Sequence, residues 1–273
     1  MFQVQKIESF DAPELQPYRT MRRQMEHREQ GIFVAEGEKV VRRLIESRFG
    51  LISVLLPEKW LHELEPLLQA RPEQIQVFVA EKKLLETLTG FSMYQGLLAV
   101  GKVPTQAPIE KILEISPRPW LLAAVDSLSS AQNLGALVRN CAAFNVQALL
   151  VGETCTSPFL RRAVRSSMGT VFELPIVETA ELVRTLNALR ARNIRCVAAH
   201  PHVEGRTLPQ ACLATDCCIV FGSEGYGISP QVLAACDDSV AIPMPPKIDS
   251  LNVGSAAAVF LYEANRQRGT IGA

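Results

Sequence analysis

The stretch IPMPPKIDSLNVGSAAAVFLYEANRQR, from Ile242 to Arg268, joins a proline-rich turn, a polar Ser-Leu-Asn step and a small-residue helix. Prolines at 243, 245 and 246 fix φ and remove backbone donors, so this part reads as loop. Beyond Asn252, Gly254, Ser255 and Ala256 to Ala258 let a helix start press closely on another backbone, while Val259, Phe260 and Leu261 supply an apolar face. A rigid loop delivering polar side chains to the mouth of a helix suits a small-molecule site. Taken alone, the stretch fits an ordinary turn before a core helix equally well.

Upstream, apolar runs alternate with helical spacing. WLLAAVD (120–126), VQALLVG (146–152), a run near 172–177, IRCVAAH (194–200) and CCIVFG (217–222) read as buried strands. Between them lie helical patterns over 136–144, 161–167 and 179–192. Strands separated in this way predict an α/β fold with a parallel sheet covered on both faces. Ligands of such sheets bind beyond the C-terminal strand ends, which directs attention to the loops after Asp126, Phe221 and Ile242.

The first hundred residues carry a second alternation. A helical pattern over 13–28 precedes apolar runs at 32–35, 51–56, 75–80 and 95–103, with helical spacing after Glu38, after Pro57 and around Leu84 to Leu88. These predict a smaller α/β domain over 1–104. Prolines 104, 108, 117 and 119 bracket a linker over 105–119 that holds a helical KILEI turn, and the larger domain occupies 120–273.

A chain of 273 residues with zero formal net charge is long enough for two cores and is not coated in positive charge for indiscriminate nucleic-acid binding. Its arginines cluster locally, at Arg19, Arg22, Arg23 and Arg28 and again at Arg161, Arg162 and Arg165, which fits a structured RNA met at defined places or solvated helix faces. Seven cysteines without C-x-x-C spacing read as buried thiols, and no metal site is expected. His200 and His202 flank Pro201 in a loop and are assigned no role. No apolar run approaches a bilayer span and the N-terminus lacks the order of a secretory signal, so no membrane association and a cytoplasmic location are expected.

Three loops could carry chemistry. SLSSAQNLGALVRN (127–140) holds Asn133, a candidate helix cap, and Arg139, whose apolar neighbours imply a guanidinium in need of a partner. FGSEGYGISP (221–230) sets Gly222, Gly225 and Gly227 after a strand, with Glu224 among them. It is neither a dinucleotide fingerprint nor a P-loop. The third loop offers Ser250 and Asn252, small neutral groups suited to orienting a hydroxyl.

Taken together, Asn133 to Arg139, the turn at 222–227, and Ile-Pro-Met followed by Ser-Leu-Asn-Val at 250–253 resemble the SpoU/TrmH family of RNA ribose 2′-O-methyltransferases, as does RSSMG at 165–169. FVAEGEKVVRRLIES at 33–47 resembles the L30e-like RNA-binding domain that often precedes the catalytic domain in that family. The resemblance implies a SPOUT fold with a deep trefoil knot, S-adenosyl-L-methionine as methyl donor, a structured RNA partner with rRNA favoured over tRNA, and a homodimer. It implies Gly222, Ile242 and Leu251 as cofactor-binding, and Arg139, Asn133, Glu224, Ser250 and Asn252 as catalytic. Ser130-Ala131 departs from the family's usual Asp-Pro, and Gly254 stands where Ser is common. The competing expectations are a tRNA methyltransferase, or a catalytically weak RNA-binding or ribosome-assembly factor of the same fold. A nicotinamide dehydrogenase would need an N-terminal glycine fingerprint that is missing.

Overall fold

The computed structural model describes residues 2–89, 96–201 and 206–270. Gln95 and His202 lie outside them. The chain forms two compact units, one of Met1–Thr105 with Phe159–Glu173, the other of Gln106–Pro158 with Leu174–Ala273.

In the first unit, β1 (Phe2–Lys6), α1 (Gln16–Arg19), α2 (Gln24–Glu29), β2 (Ile32–Glu36), α3 (Glu38–Glu46), β3 (Leu51–Leu56), α4 (Glu58–Gln69), β4 (Ile75–Val79), α5 (Lys82–Thr89) and β5 (Leu98–Lys102) follow one another. The sheet order is β1-β4-β3-β5-β2, with β5 antiparallel to both neighbours. Mainly apolar sequences, broken only by Ser53 and the exposed Gln76, make β3 and β4 largely buried strands, as their composition predicts. The expected helix over 13–28 is interrupted instead. At Thr20 the hydroxyl bonds back to the Gln16 carbonyl and across to the buried His27 ring, closing one turn before the next helix begins.

Arg19, Arg22, Arg23 and Arg28 are exposed around this break. The second arginine cluster is different. Arg161 and Arg165 both donate to the carboxylate of Glu36, itself 6 % exposed at the end of β2, leaving Arg162 exposed beside them. A buried carboxylate requires such partners, so Arg161 serves the packing of this unit, while Arg165 pairs with the same carboxylate and stays exposed. Phe159 and Phe172 join Phe33 and Phe49 in one aromatic cluster, with centroid separations of 5.3 to 6.2 Å.

The second unit opens with α6 (Ile109–Ile115), then β6 (Leu121–Val125), α7 (Ala131–Ala143) and β7 (Ala148–Val151). The short α8 (Arg161–Ser166) lies in the first unit's later segment. The second unit continues with β8 (Ile176–Glu178), α9 (Leu182–Ala191), β9 (Arg195–Ala199), β10 (Arg206–Thr207), β11 (Cys217–Phe221), α10 (Pro230–Ala234), β12 (Asp238–Ala241) and α11 (Val253–Gln267). All seven strands run parallel in the order β10-β12-β9-β11-β6-β7-β8. The helical turn expected between the prolines is α6, whose Ile109, Ile112 and Leu113 are buried in this unit's core.

The small-residue helix start does what its composition suggests. At Gly254 of α11 an added Cβ would lie 3.2 Å from the Cβ of Ala136 on α7, and the Gly254 carbonyl accepts a 2.6 Å bond from Asn140 Nδ2. Farther along, Asn265 Nδ2 donates to the Phe144 carbonyl at 2.9 Å, so the two helices are tied near both ends. Among the described residues no helix is long and apolar enough to cross a membrane.

Candidate active site

Neighbouring strands β12, β9 and β11 deliver their C-terminal ends to one edge of the second unit's sheet. Just past β11 the chain folds back tightly at Gly222. A Cβ there would sit 2.1 Å from the Gly227 carbonyl carbon and 2.3 Å from the Ile228 nitrogen, so only glycine fits. Ser223 and Gly227 exchange two backbone hydrogen bonds of 3.0 Å, and Gly227 closes the turn at φ +69°. The Tyr226 amide donates to Ser223 Oγ at 3.3 Å.

The exit of this turn is tied to β6. Asp126, buried at the end of that strand, accepts from the Ser229 amide at 2.7 Å and from the Ser127 hydroxyl at 2.9 Å. Its carboxylate thus caps the approach to α10 and fixes where the glycine turn ends.

Asn133 is not the cap of α7. That role belongs to Ser130, whose hydroxyl accepts from the Asn133 amide at 3.3 Å. The Asn133 side chain is therefore available to join the other two loops. Its Nδ2 donates to Glu224 Oε1, and its Oδ1 accepts from Asn252 Nδ2 at 3.2 Å. Asn252 Oδ1 in turn accepts from the Gly254 amide at 2.9 Å and caps α11. The polarity of the chain follows from its ends. A carboxylate only accepts and a backbone amide only donates, so both amides between them have one consistent orientation. Each of the three loops contributes one member.

Against this network lies a cavity of about 450 Å³. Its wall includes the turn from Gly222 to Gly227, Ile242 and Met244 after β12, and Ser250 and Leu251 before α11. Gly222, Glu224, Ile242, Ser250 and Leu251 are thus brought together in one wall. Asn133 and Asn252 stand outside the wall and hold Glu224 and the α11 start. The stretch after Asp126 contributes Asn133 to this network and Asn140 to the start of α11.

Arg139 differs from expectation. Residues 134, 135, 137, 138 and 141 form the buried face of α7, and Arg139 falls off that face into solvent. Among the described residues it makes no hydrogen bond or ion pair, so it is an exposed cation and not a buried one seeking a partner. It is also absent from the cavity wall.

His200 and Pro201, directly after β9, line the cavity, although neither was a candidate on sequence grounds. The available signal was positional, since β9 is another strand whose C-terminal end meets the ligand side of a parallel sheet. No cysteine is among the residues lining the cavity. Burial raises the pKa of Cys141 and Cys217 and brings Cys236 up to about 12, which keeps them protonated. Among the described residues no cluster of His, Cys, Asp or Glu could hold a metal.

Comparison with known proteins converges on one family. The profile of the SpoU rRNA Methylase family matches residues 121–262. An uncharacterised tRNA/rRNA methyltransferase of Mycobacterium bovis is 31% identical over 244 residues, covering 88% of this chain and 83% of its own length. A crystal structure of an RNA 2′-O ribose methyltransferase is 28% identical, with a TM-score of 0.79 over 97% of this chain and 99% of its own. The S-adenosylmethionine-bound rRNA methyltransferase of Sinorhizobium meliloti shares the fold at TM-score 0.82 and 22% identity, over 96% of this chain and 98% of its own.

Proposed function

Since the chain belongs to the SpoU rRNA Methylase family, we propose that it transfers a methyl group from S-adenosylmethionine to a ribose 2′-hydroxyl of ribosomal RNA. The observation that carries this reading is the meeting of three separate sequence motifs at one cavity, through the chain of bonds from Glu224 to Asn133 to Asn252. Support for the ribose comes from the likeness to an RNA 2′-O ribose methyltransferase over nearly the whole chain.

The residues present fit the cofactor. The volume lies within the range of roughly 300 to 1,000 Å³ found for small-molecule sites. Gly222 presents backbone with no room for a side chain, and Ile242, Met244 and Leu251 offer apolar surface for a purine face. When bound, the cofactor supplies an electrophilic methyl on a sulfonium.

Everything else falls to the chain. Ser250, exposed on the wall and without a partner among the described residues, hydrogen-bonds the ribose. Asn133 and Asn252 hold the glycine turn and the start of α11 in register, which is the positioning such a transfer needs. Arg139, exposed and without a partner among the described residues, takes an RNA phosphate and stabilises the alkoxide as it develops. Arg19, Arg22, Arg23 and Arg28 give the first unit its RNA-facing charge. In this reading residues 242–252 form the threaded wall of a knot, and the enzyme works as a homodimer.

Purified protein is incubated with methyl-labelled S-adenosylmethionine and unmodified transcripts of large-subunit rRNA, small-subunit rRNA and tRNA. Label is expected in ribosomal RNA. Label in tRNA alone would reassign the substrate, and none in any RNA would remove the activity. Arg139→Ala should lower turnover by about 100-fold without loss of cofactor binding, and wild-type turnover in both Arg139→Ala and Arg139→Lys would remove Arg139 from the mechanism.

A further inference from the structure

Tyr226 is 98 % exposed, the most exposed of the large hydrophobic side chains among the described residues. A lone exposed aromatic on an ordinary surface needs no explanation. Tyr226 stands on something more specific. Its backbone belongs to the turn closed by the paired Ser223 and Gly227 bonds, and its own amide is held by Ser223 Oγ. Glu224, two residues before it, is fixed by Asn133. The same turn forms the cavity wall, and Tyr226 belongs to that wall. Among the described residues the ring has no aromatic or cationic neighbour and its hydroxyl has no hydrogen bond. A flat, apolar surface is therefore carried at the cavity rim on a preorganised support, with its faces open.

Ribose chemistry says what arrives there. The 2′-hydroxyl and the base sit on adjacent ribose carbons, so a hydroxyl presented to the cavity brings its base to the rim. Nucleobases stack on aromatic side chains irrespective of sequence, and tyrosine is among the residues that serve. We infer that Tyr226 is a substrate-recognition residue, stacking on the base of the methylated nucleotide or its immediate neighbour. This rests on the proposed RNA methyl transfer. Because the turn is already ordered, little conformational entropy is lost when the base docks.

The test compares wild-type protein with Tyr226→Ala and Tyr226→Phe, on the RNA transcript that the wild-type protein labels most strongly. Steady-state methylation is measured against RNA concentration, and S-adenosylmethionine binding by calorimetry. Tyr226→Ala should raise the KM for RNA by about 10-fold or more with cofactor affinity unchanged, and Tyr226→Phe should restore the wild-type KM, because the ring and not the hydroxyl stacks. An unchanged KM in Tyr226→Ala, with the wild-type enzyme active, overturns the stacking role alone. A KM that remains raised in Tyr226→Phe, or cofactor affinity that falls with Tyr226→Ala, also overturns it, by assigning the residue to hydroxyl recognition or to the cofactor. If wild-type protein labels none of the transcripts, the proposed transfer fails and this inference with it.

Discussion

An alanine at Gly222 would run into the Gly227–Ile228 peptide: its Cβ would lie 2.1 Å from the Gly227 carbonyl carbon, 2.3 Å from the Ile228 nitrogen and 2.4 Å from the Gly227 oxygen. No flexible side chain can move aside, so relief requires the two arms of the turn to separate and strain the 3.0 Å bonds between Ser223 and Gly227. Overpacking of this kind costs about 1 to 3 kcal/mol, and each of the two backbone bonds, if lost, about 1 more, giving an expected destabilisation of about 3 to 5 kcal/mol. Two other glycines of the turn calibrate the estimate. At Gly225 no atom lies within 4 Å of an added Cβ and φ is not left-handed, so alanine should be neutral or stabilise by about 0.5 kcal/mol. At Gly227 the space is equally open but φ is +69°, and alanine should cost about 1 to 2 kcal/mol. Urea unfolding of the three variants gives the stabilities, and calorimetric titration gives S-adenosylmethionine affinity, which should fall about 10-fold or more for Gly222→Ala as the wall shifts. A Gly222→Ala protein within about 0.5 kcal/mol of wild type, or one no worse than Gly225→Ala, would refute the reasoning.

Three further outcomes follow from other parts of the molecule. Glu36→Ala strands the partly buried Arg161 and should cost about 3 kcal/mol in urea unfolding, whereas Arg162→Ala beside it should stay within about 0.5 kcal/mol of wild type. Asn252→Ala removes the cap of α11 and the partner of Asn133, so stability should fall by about 1 kcal/mol and methyl transfer should slow while RNA affinity holds. The hydrogen bonds from Arg266 hold the Glu263 carboxyl down at about 2, below its ordinary 4.5. Because the folded value is the lower one, its contribution is complete above pH 4.5 and is lost as pH falls toward 2, and Glu263→Gln should flatten the stability profile across that window.

Much of the larger unit is legible because each buried strand is a continuous apolar run, as in β6 and β11, and parallel packing demands that pattern. β1 is not legible for the converse reason. It is an edge strand with four of five residues exposed, and FQVQK carries no burial signal. β10, with two residues, and β12, with four, are too short to show a period. The cavity residues Gly222, Ile242 and Leu251 could be placed because their motifs keep a recognisable order. Pairings across long separations could not. Nothing in the neighbourhood of Glu36 announces Arg161, 125 residues away, and nothing near Asn133 announces Glu224, 91 residues on. The exposure of Arg139 was available from helical geometry, since the buried positions of α7 leave it on the other side.

The central claim is tested most directly by mapping the product. Ribosomal RNA labelled by the protein from S-adenosylmethionine is digested to nucleosides and also subjected to alkaline hydrolysis, which a 2′-O-methyl group blocks at its own nucleotide. Label is expected in a ribose-methylated nucleoside, with an alkali-resistant linkage at the same position. Label on a base, with every linkage still cleaved by alkali, would contradict it.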